Sequence, residues 1–174
     1  MKVLVAFGTK MGGTEGIAEA IGGRLRSKGW SVDVCAAATD PDTSGYDAVI
    51  VGGALYVRRW HKAAARFVRS NAAPLRRVPV WLFSSGPLDE SAHDGEIAPV
   101  PQVAKLMAKV GARGHATFGG RLPEDAEGFM ARRMARTQAG DWRDFSDITL
   151  WADAVAADLE ANPEETPASS GVGQ

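Results

Sequence analysis

A turn rich in glycine and hydroxyl groups has the residue types that bind an anion. It spans residues 8–14 and reads Gly-Thr-Lys-Met-Gly-Gly-Thr. The apolar run before it, residues 2–7, is typical of a buried strand, and the residues from Thr14 onward have the spacing of an amphipathic helix. Free backbone N–H groups and the positive end of the helix dipole therefore meet at this turn. Together with two threonine hydroxyls, they predict a phosphate site.

The spacing within the turn excludes two common phosphate motifs. A Walker loop needs Lys and then Ser or Thr after its last Gly, but Thr14 follows Gly13 directly and Lys10 lies inside the turn. The dinucleotide pattern G-x-G-x-x-G fails because Lys10 occupies the place of its second Gly. The remaining pattern, T-x-x-G-x-T over residues 9–14, resembles the loop that holds the FMN phosphate in flavodoxins. An ordinary strand-to-helix turn capped by Thr14 is the alternative.

Two further loops carry groups that suit a flat heteroaromatic ring. The segment that follows the third strand begins at Gly52 and contains Tyr56 and Trp60, which are candidates for stacking on the ring. The segment that follows the fourth strand, residues 84–88, begins Ser-Ser-Gly and suits a ribityl chain and the far edge of the ring. Ligands of open parallel sheets lie outside the carboxyl ends of the strands, so we expect the three loops to converge on one ligand.

The elements that must position these loops alternate along the chain. Short buried strands are predicted at 2–7, 31–35, 47–51, 78–83 and 115–118, and helices at 14–28, 61–71, 100–110 and 146–161. Such alternation predicts an α/β fold with a doubly wound parallel sheet that is covered by helices on both faces.

Composition sets further limits. The chain has 174 residues and a formal net charge of −1, which gives no general attraction to nucleic acid or to an anionic membrane. We expect one domain over residues 1–161 and a disordered tail over residues 162–174. The single cysteine, Cys35, excludes an internal disulfide and favours a reducing compartment. The first strand begins at residue 2 and leaves no room for a signal peptide, so we expect a cytoplasmic protein.

Two basic stretches have both a structural and a functional interpretation. The residues leading into the second helix form a basic run: Arg58, Arg59, His61, Lys62, Arg66 and Arg69. The run is either a solvated helix face or a functional surface. In the second case its positive charge would attract an acidic substrate or stabilise a reduced flavin. An inserted segment after strand 5, residues 121–145, contains a predicted basic amphipathic helix at 129–136. That helix either covers the core or contacts a partner, a substrate or a membrane surface.

Residues 1–161 resemble the flavodoxin superfamily, and in particular the flavodoxin-domain family that includes menaquinone-dependent protoporphyrinogen oxidase. The resemblance is carried by three motifs: the T-x-x-G-x-T loop, residues 45–52 (Gly-Tyr-Asp-Ala-Val-Ile-Val-Gly), and residues 118–122 (Phe-Gly-Gly-Arg-Leu) with the Phe-Met-x-Arg and Gly-Asp-x-Arg-Asp segments beyond them. It implies a five-stranded sheet of order 2-1-3-4-5 and FMN as cofactor. The implied FMN-binding residues are Thr9, Lys10, Met11, Gly12, Gly13 and Thr14 for the phosphate, and Ala54, Leu55, Tyr56, Trp60, Ser84, Ser85 and Gly86 for the ring.

The resemblance implies an oxidoreductase that passes electrons to a quinone or a similar acceptor. A non-enzymatic electron carrier between a reductase and an acceptor is the second hypothesis, and a scaffold that has lost FMN is the third. No side chain stands out as an acid or base, so no catalytic residue is assigned. The three histidines lie in different predicted elements without metal-ligand spacing, and we expect no metal site.

Overall fold

A computed structural model describes residues 1–89, 97–124, 133, 135 and 139–162. Its strands are β1 Lys2–Gly8, β2 Ser31–Ala36, β3 Ala48–Tyr56, β4 Arg59–Trp60, β5 Val80–Ser85, β6 Gly114–Phe118, β7 Arg121–Leu122 and β8 Gly140–Asp141. Its helices are α1 Gly13–Ser27, α2 Lys62–Ser70, α3 Ala72–Leu75, α4 Pro101–Val110 and α5 Phe145–Ala161, with a 3₁₀ turn at Ala37–Thr39. Within these ranges, no helix has the length and apolar character needed to cross a membrane.

The main sheet has the predicted topology. Its strands are parallel and ordered β2-β1-β3-β5-β6, with β4 paired antiparallel to the end of β3. Because β4 is a two-residue addition, this path is the expected order 2-1-3-4-5, and the flavodoxin-like fold is confirmed. The order reverses between β1 and β3, which places the loops that follow these two strands side by side at the switch point.

Alternating residues of each strand enter two separate cores. Val3 and Val5 of β1 point to the face covered by α1 and α5, where they belong to a cluster with Ile17 and Ile148. Leu4 points to the opposite face, in a cluster with residues of α2 and α4. Both clusters consist of fully or almost fully buried side chains. The sheet is therefore a rigid, double-sided support, and the loops at its carboxyl edge are fixed by it.

The third strand is longer than predicted. We expected β3 to end at Val51, before Gly52 and Gly53, but it continues to Tyr56. A Cβ atom at Gly52 would lie 2.0 Å from the Phe83 ring, and one at Gly53 would lie 2.7 Å from the Trp60 ring. The two glycines therefore do not break the strand. They make room for aromatic rings on opposite faces of it.

The inserted segment begins and ends in a small ribbon. β7 and β8 pair antiparallel, with Arg121 opposite Asp141 and Leu122 opposite Gly140. The predicted basic helix at 129–136 lies outside the described residues except for Arg133, which is exposed, and Ala135, which is buried in a cluster with Leu122. The predicted tail also lies outside them, apart from its first residue. Asp144 starts α5 directly after the ribbon, and its carboxylate accepts hydrogen bonds from the backbone N–H groups of Ser146 and Asp147.

Candidate functional site: a cavity at the carboxyl ends of the strands

The three predicted loops meet around one cavity of about 380 Å³. The cavity is lined by all of the predicted site residues except Gly12, Trp60 and Ser84. The lining residues among the predicted set are Thr9, Lys10, Met11, Gly13, Thr14, Ala54, Leu55, Tyr56, Ser85 and Gly86. Its volume lies in the range of small-molecule and cofactor sites.

One end of the cavity is the first turn of α1. Gly12 has φ 74° and ψ −7°, a left-handed conformation that suits glycine, and it starts the helix without a side-chain cap. The N–H groups in the first turn of an α-helix have no partner within the helix. The helix dipole adds positive potential at the same point. This end of the cavity therefore has the backbone geometry of an anion site.

The Thr14 hydroxyl at this end lacks an internal partner. Its side chain is fully buried, and within the part of the chain that the structure describes, its Oγ1 atom has no hydrogen bond. A buried polar group left unsatisfied costs about 1–3 kcal/mol, and native proteins rarely keep one. Because Thr14 lines the cavity, an acceptor bound there would satisfy it. A phosphate oxygen beside the free N–H groups fits this requirement.

The ribbon of the inserted segment presses against the same turn. A Cβ atom at Gly13 would lie 3.3 Å from the Cβ of Arg121, and one at Gly16 would lie 2.3 Å from Nη1 of Arg143. The Arg143 side chain is only 10% exposed, and its Nη1 donates to the Gly13 carbonyl at 3.4 Å. Its Nε and Nη2 bond the two carboxylate oxygens of Asp141 at 2.8 and 2.6 Å. These bonds lower the pKa of Asp141, so the pair stays ionised at neutral pH.

The rest of the cavity, the apolar slot, is lined mainly by apolar residues of the β3 and β5 loops and of the segment after β6. A Cβ atom at Gly86 would lie 2.7 Å from Cδ1 of Leu55, and one at Gly120 would lie 2.9 Å from Cδ2 of Leu88. Tyr56 closes one wall and is 39% exposed. Burial raises the pKa of its phenol, so the ring is neutral at physiological pH. The two glycines therefore let the backbone pack directly against the leucine side chains that line the slot.

Comparison with known proteins agrees with this arrangement. A family model described as a flavodoxin domain matches residues 4–141. The chain belongs to the flavodoxin-domain family. The family implies a flavin cofactor. In this flavodoxin domain, the free N-terminus of α1 and the apolar slot both lie in the cavity at the carboxyl ends of the strands.

The similar proteins agree on the fold. The rubredoxin oxygen:oxidoreductase of Desulfovibrio gigas aligns with a TM-score of 0.63 and 15% identity, over 92% of this chain and 36% of that one. A point mutant of flavodoxin from Pseudomonas aeruginosa aligns with a TM-score of 0.60 and 16% identity, over 92% of this chain and 99% of the other. At these identities the structural likeness shows the fold.

A curated relative is similar over a shorter stretch. The protoporphyrinogen IX dehydrogenase (quinone) of Escherichia coli strain K12 is 30% identical over 86 residues, which is 48% of this chain and 48% of that protein. The chain thus spans about half the length of the curated relatives it matches.

The structure places Trp60 and Ser84 behind the cavity of the flavodoxin domain. The Trp60 side chain is 3% exposed, and its Nε1 donates to Ser84 Oγ at 3.1 Å. Ser84 is fully buried, and its Oγ also lies 2.9 Å from Nε2 of His115. Because β3 continues to Tyr56 and then folds back into β4, Trp60 turns into the α2 and α4 core. Its side chain packs in this core next to the turn between β3 and β4 and does not line the cavity.

Other lining residues of the flavodoxin domain are absent from the predicted set: Val57, Leu88, Gly120, Arg121 and Leu122. The Phe-Gly-Gly-Arg-Leu motif contains three of them; it carries the resemblance to the family, but no binding role was predicted for it. Their position depends on the pairing of β7 with β8 across the inserted segment, which no local pattern reveals. Val57 and Arg58 form the turn between β3 and β4, with φ of 48° and 59°.

Proposed function

We propose that the protein is an FMN-dependent redox protein that binds the cofactor in this cavity. Residues 9–14 would hold the phosphate, and the flavin ring would lie between residues 54–56 and residues 85–86. The observation that carries the proposal is the buried, unpartnered Thr14 hydroxyl beside the free N–H groups of α1. Lys10 and Arg121 also line the cavity and add positive charge for a phosphate.

The chain's own residues would bind and orient the cofactor. FMN supplies the electron- and hydride-transfer chemistry when bound. Leu55 and Leu88 exclude water from the slot, and Tyr56 covers one wall while part of its ring stays accessible. Among the described lining residues there is no carboxylate, so the cavity favours a dianionic phosphate and a negatively charged reduced cofactor.

The finer proposal is an enzyme like protoporphyrinogen oxidase that passes electrons to a quinone. It is supported by the family and by the name of the Escherichia coli relative, over the stretch that the two chains share. The electron-carrier alternative is supported by the fold shared with flavodoxins. Both use the same cavity, and they differ in whether the reduced substrate binds beside it.

Anaerobic turnover separates the two functions. The full chain, loaded with FMN, is mixed with protoporphyrinogen IX and menadione, and porphyrin formation is followed by fluorescence. The enzyme hypothesis predicts porphyrin formation that depends on both the protein and menadione. A Gly86→Leu variant serves as control, because the added side chain would meet Leu55 and fill the slot. If wild type forms porphyrin no faster than this variant, the enzyme hypothesis is contradicted. The carrier would then show electron transfer from a flavodoxin reductase to cytochrome c.

A further inference from the structure

A second concavity, the basic groove, lies beside the cofactor cavity along α2. It has a volume of about 1170 Å³. It shares Lys10 and Tyr56 with the cavity, so the two adjoin at these residues. The basic side chains that line it are Lys10, Arg59, Lys62, Arg66 and Arg69. The one carboxylate among its lining residues, Asp40, accepts a hydrogen bond from Asn71 Nδ2 at 3.1 Å.

Within the part of the chain that the structure describes, Asp40 is the one carboxylate that lines the basic groove, and it offsets only a part of the positive charge. None of its five basic side chains has an ion pair there, whereas on the other face of the sheet Arg24 and Lys28 both bind Asp153, at 2.9 and 3.0 Å. The whole chain has a formal net charge of −1. The groove is therefore a local positive region on a nearly neutral protein, and it adjoins the cofactor cavity at Lys10 and Tyr56.

The groove presents its charges on a rigid support. Lys62, Arg66 and Arg69 are exposed and lie at i, i+4 and i+7 of α2, which makes a stripe about 10 Å long at 1.5 Å per residue. The opposite side of α2 is fixed in the core by Phe67 and Val68, which are essentially fully buried. His61 accepts a hydrogen bond from the Ala63 N–H at the start of the helix. The stripe therefore has a defined geometry.

The chemistry of the basic groove fits an acidic protein surface. Small ligands usually bind in concave sites of about 300–1,000 Å³ that enclose most of their surface. This groove is larger, and its cations are exposed and hydrated, so each adds little to affinity. Exposed charges contribute chiefly to the rate and orientation of protein encounter. Redox proteins associate through small and transient interfaces of this kind.

We propose that the basic groove docks the acidic face of a redox protein that exchanges electrons with the bound cofactor. The proposal rests on the proposed function, because the partner needs a redox group to approach. Docking along α2 would bring the partner to Tyr56, which lies at the junction of groove and cavity and is partly exposed.

Binding of a plant-type [2Fe–2S] ferredoxin, a strongly acidic protein, tests the proposal. Calorimetry at low ionic strength compares the FMN-loaded wild type with the double variant Arg66→Glu and Arg69→Glu. The matched control, Arg77→Glu with Lys109→Glu, makes the same change in net charge at exposed positions near the amino ends of the strands. We expect the groove variant to raise the dissociation constant about tenfold, and the control to raise it by about twofold or less.

Three results would overturn the docking surface. The first is an equal loss of affinity in both variants, because net charge would then explain the binding. The second is a wild type that does not bind ferredoxin at low salt. The third is tight binding of the small polycarboxylate mellitate that blocks ferredoxin, which would assign the groove to a small anion. An FMN titration of each preparation is scored separately, so failure of the proposed cofactor is distinguishable from failure of docking.

Discussion

Replacing Thr14 by valine should change the stability of the free protein and its affinity for FMN in opposite senses. Valine keeps the branched shape of the side chain and replaces the hydroxyl with a methyl group. In the free protein this removes a fully buried oxygen that has no partner among the described residues. In the FMN complex it removes a donor that would face the phosphate.

The size of both effects follows from the burial of that oxygen. An unsatisfied buried hydroxyl costs about 1–3 kcal/mol, so the free variant should be more stable by about that amount. For a chain of this length, each kcal/mol raises the melting temperature by about 2–4 °C. A hydrogen bond to a charged group contributes about 1.5–3 kcal/mol, which corresponds to a roughly 10- to 150-fold rise in the dissociation constant for FMN.

Calorimetry and thermal denaturation measure the two effects on one preparation. Riboflavin, which has the ring but no phosphate, is the ligand control, and its affinity should be the same for wild type and variant. Thr14→Ser keeps the hydroxyl and should keep most of the FMN affinity. A valine variant that melts lower than wild type without ligand, or that binds FMN as tightly as wild type, would refute the role given to this hydroxyl.

Three further predictions concern residues around the cavity. Val57 is 95% exposed and has φ 48°, a conformation that asparagine tolerates better than valine. Val57→Asn should therefore relieve backbone strain and raise the free energy of unfolding by about 1 kcal/mol in chemical denaturation. A loss of stability would show that the turn is not strained. Arg143→Gln removes a charged contact to the Gly13 carbonyl, in the turn proposed to hold the phosphate. It should raise the FMN dissociation constant about fivefold in calorimetry and leave riboflavin binding unchanged. Equal losses of affinity for both ligands would indicate general misfolding. Burial lowers the pKa of His115 to about 4, so the unfolded chain binds its proton first as pH falls. Stability should therefore decrease between about pH 6.5 and 4 by more in wild type than in His115→Gln, and equal pH profiles in urea denaturation would contradict this.

Much of the fold could be predicted because its signals are local. The β-branched runs, the amphipathic helices and the glycine at the end of α4 are short-range patterns, and their alternation fixes the class. Gly111, for example, ends α4 as expected with φ 67°. The glycine-rich turn of residues 8–14 was also predictable as a strand-to-helix junction, because Thr14 and its neighbours are contiguous in the chain.

The remainder of the site depends on contacts that the sequence does not display. Glycine is a poor strand residue, so Gly52 and Gly53 suggested the end of β3. These positions need glycine because the Phe83 and Trp60 rings, which come from elsewhere in the chain, occupy the space of a side chain there. The same extension of β3 turned Trp60 into the core. Arg121 reaches the cavity through a pairing with Asp141, which lies 20 positions along the chain.

The most direct test of the account is the affinity of the purified full chain for FMN compared with riboflavin. Both are measured by calorimetry on protein stripped of bound flavin, with the absorption spectrum recorded through gel filtration. The account predicts that FMN remains with the protein and binds tighter than riboflavin by about tenfold or more, because the free N–H groups of α1 and the Thr14 hydroxyl bond the phosphate. Equal affinity for the two flavins, or no binding of either, would contradict it.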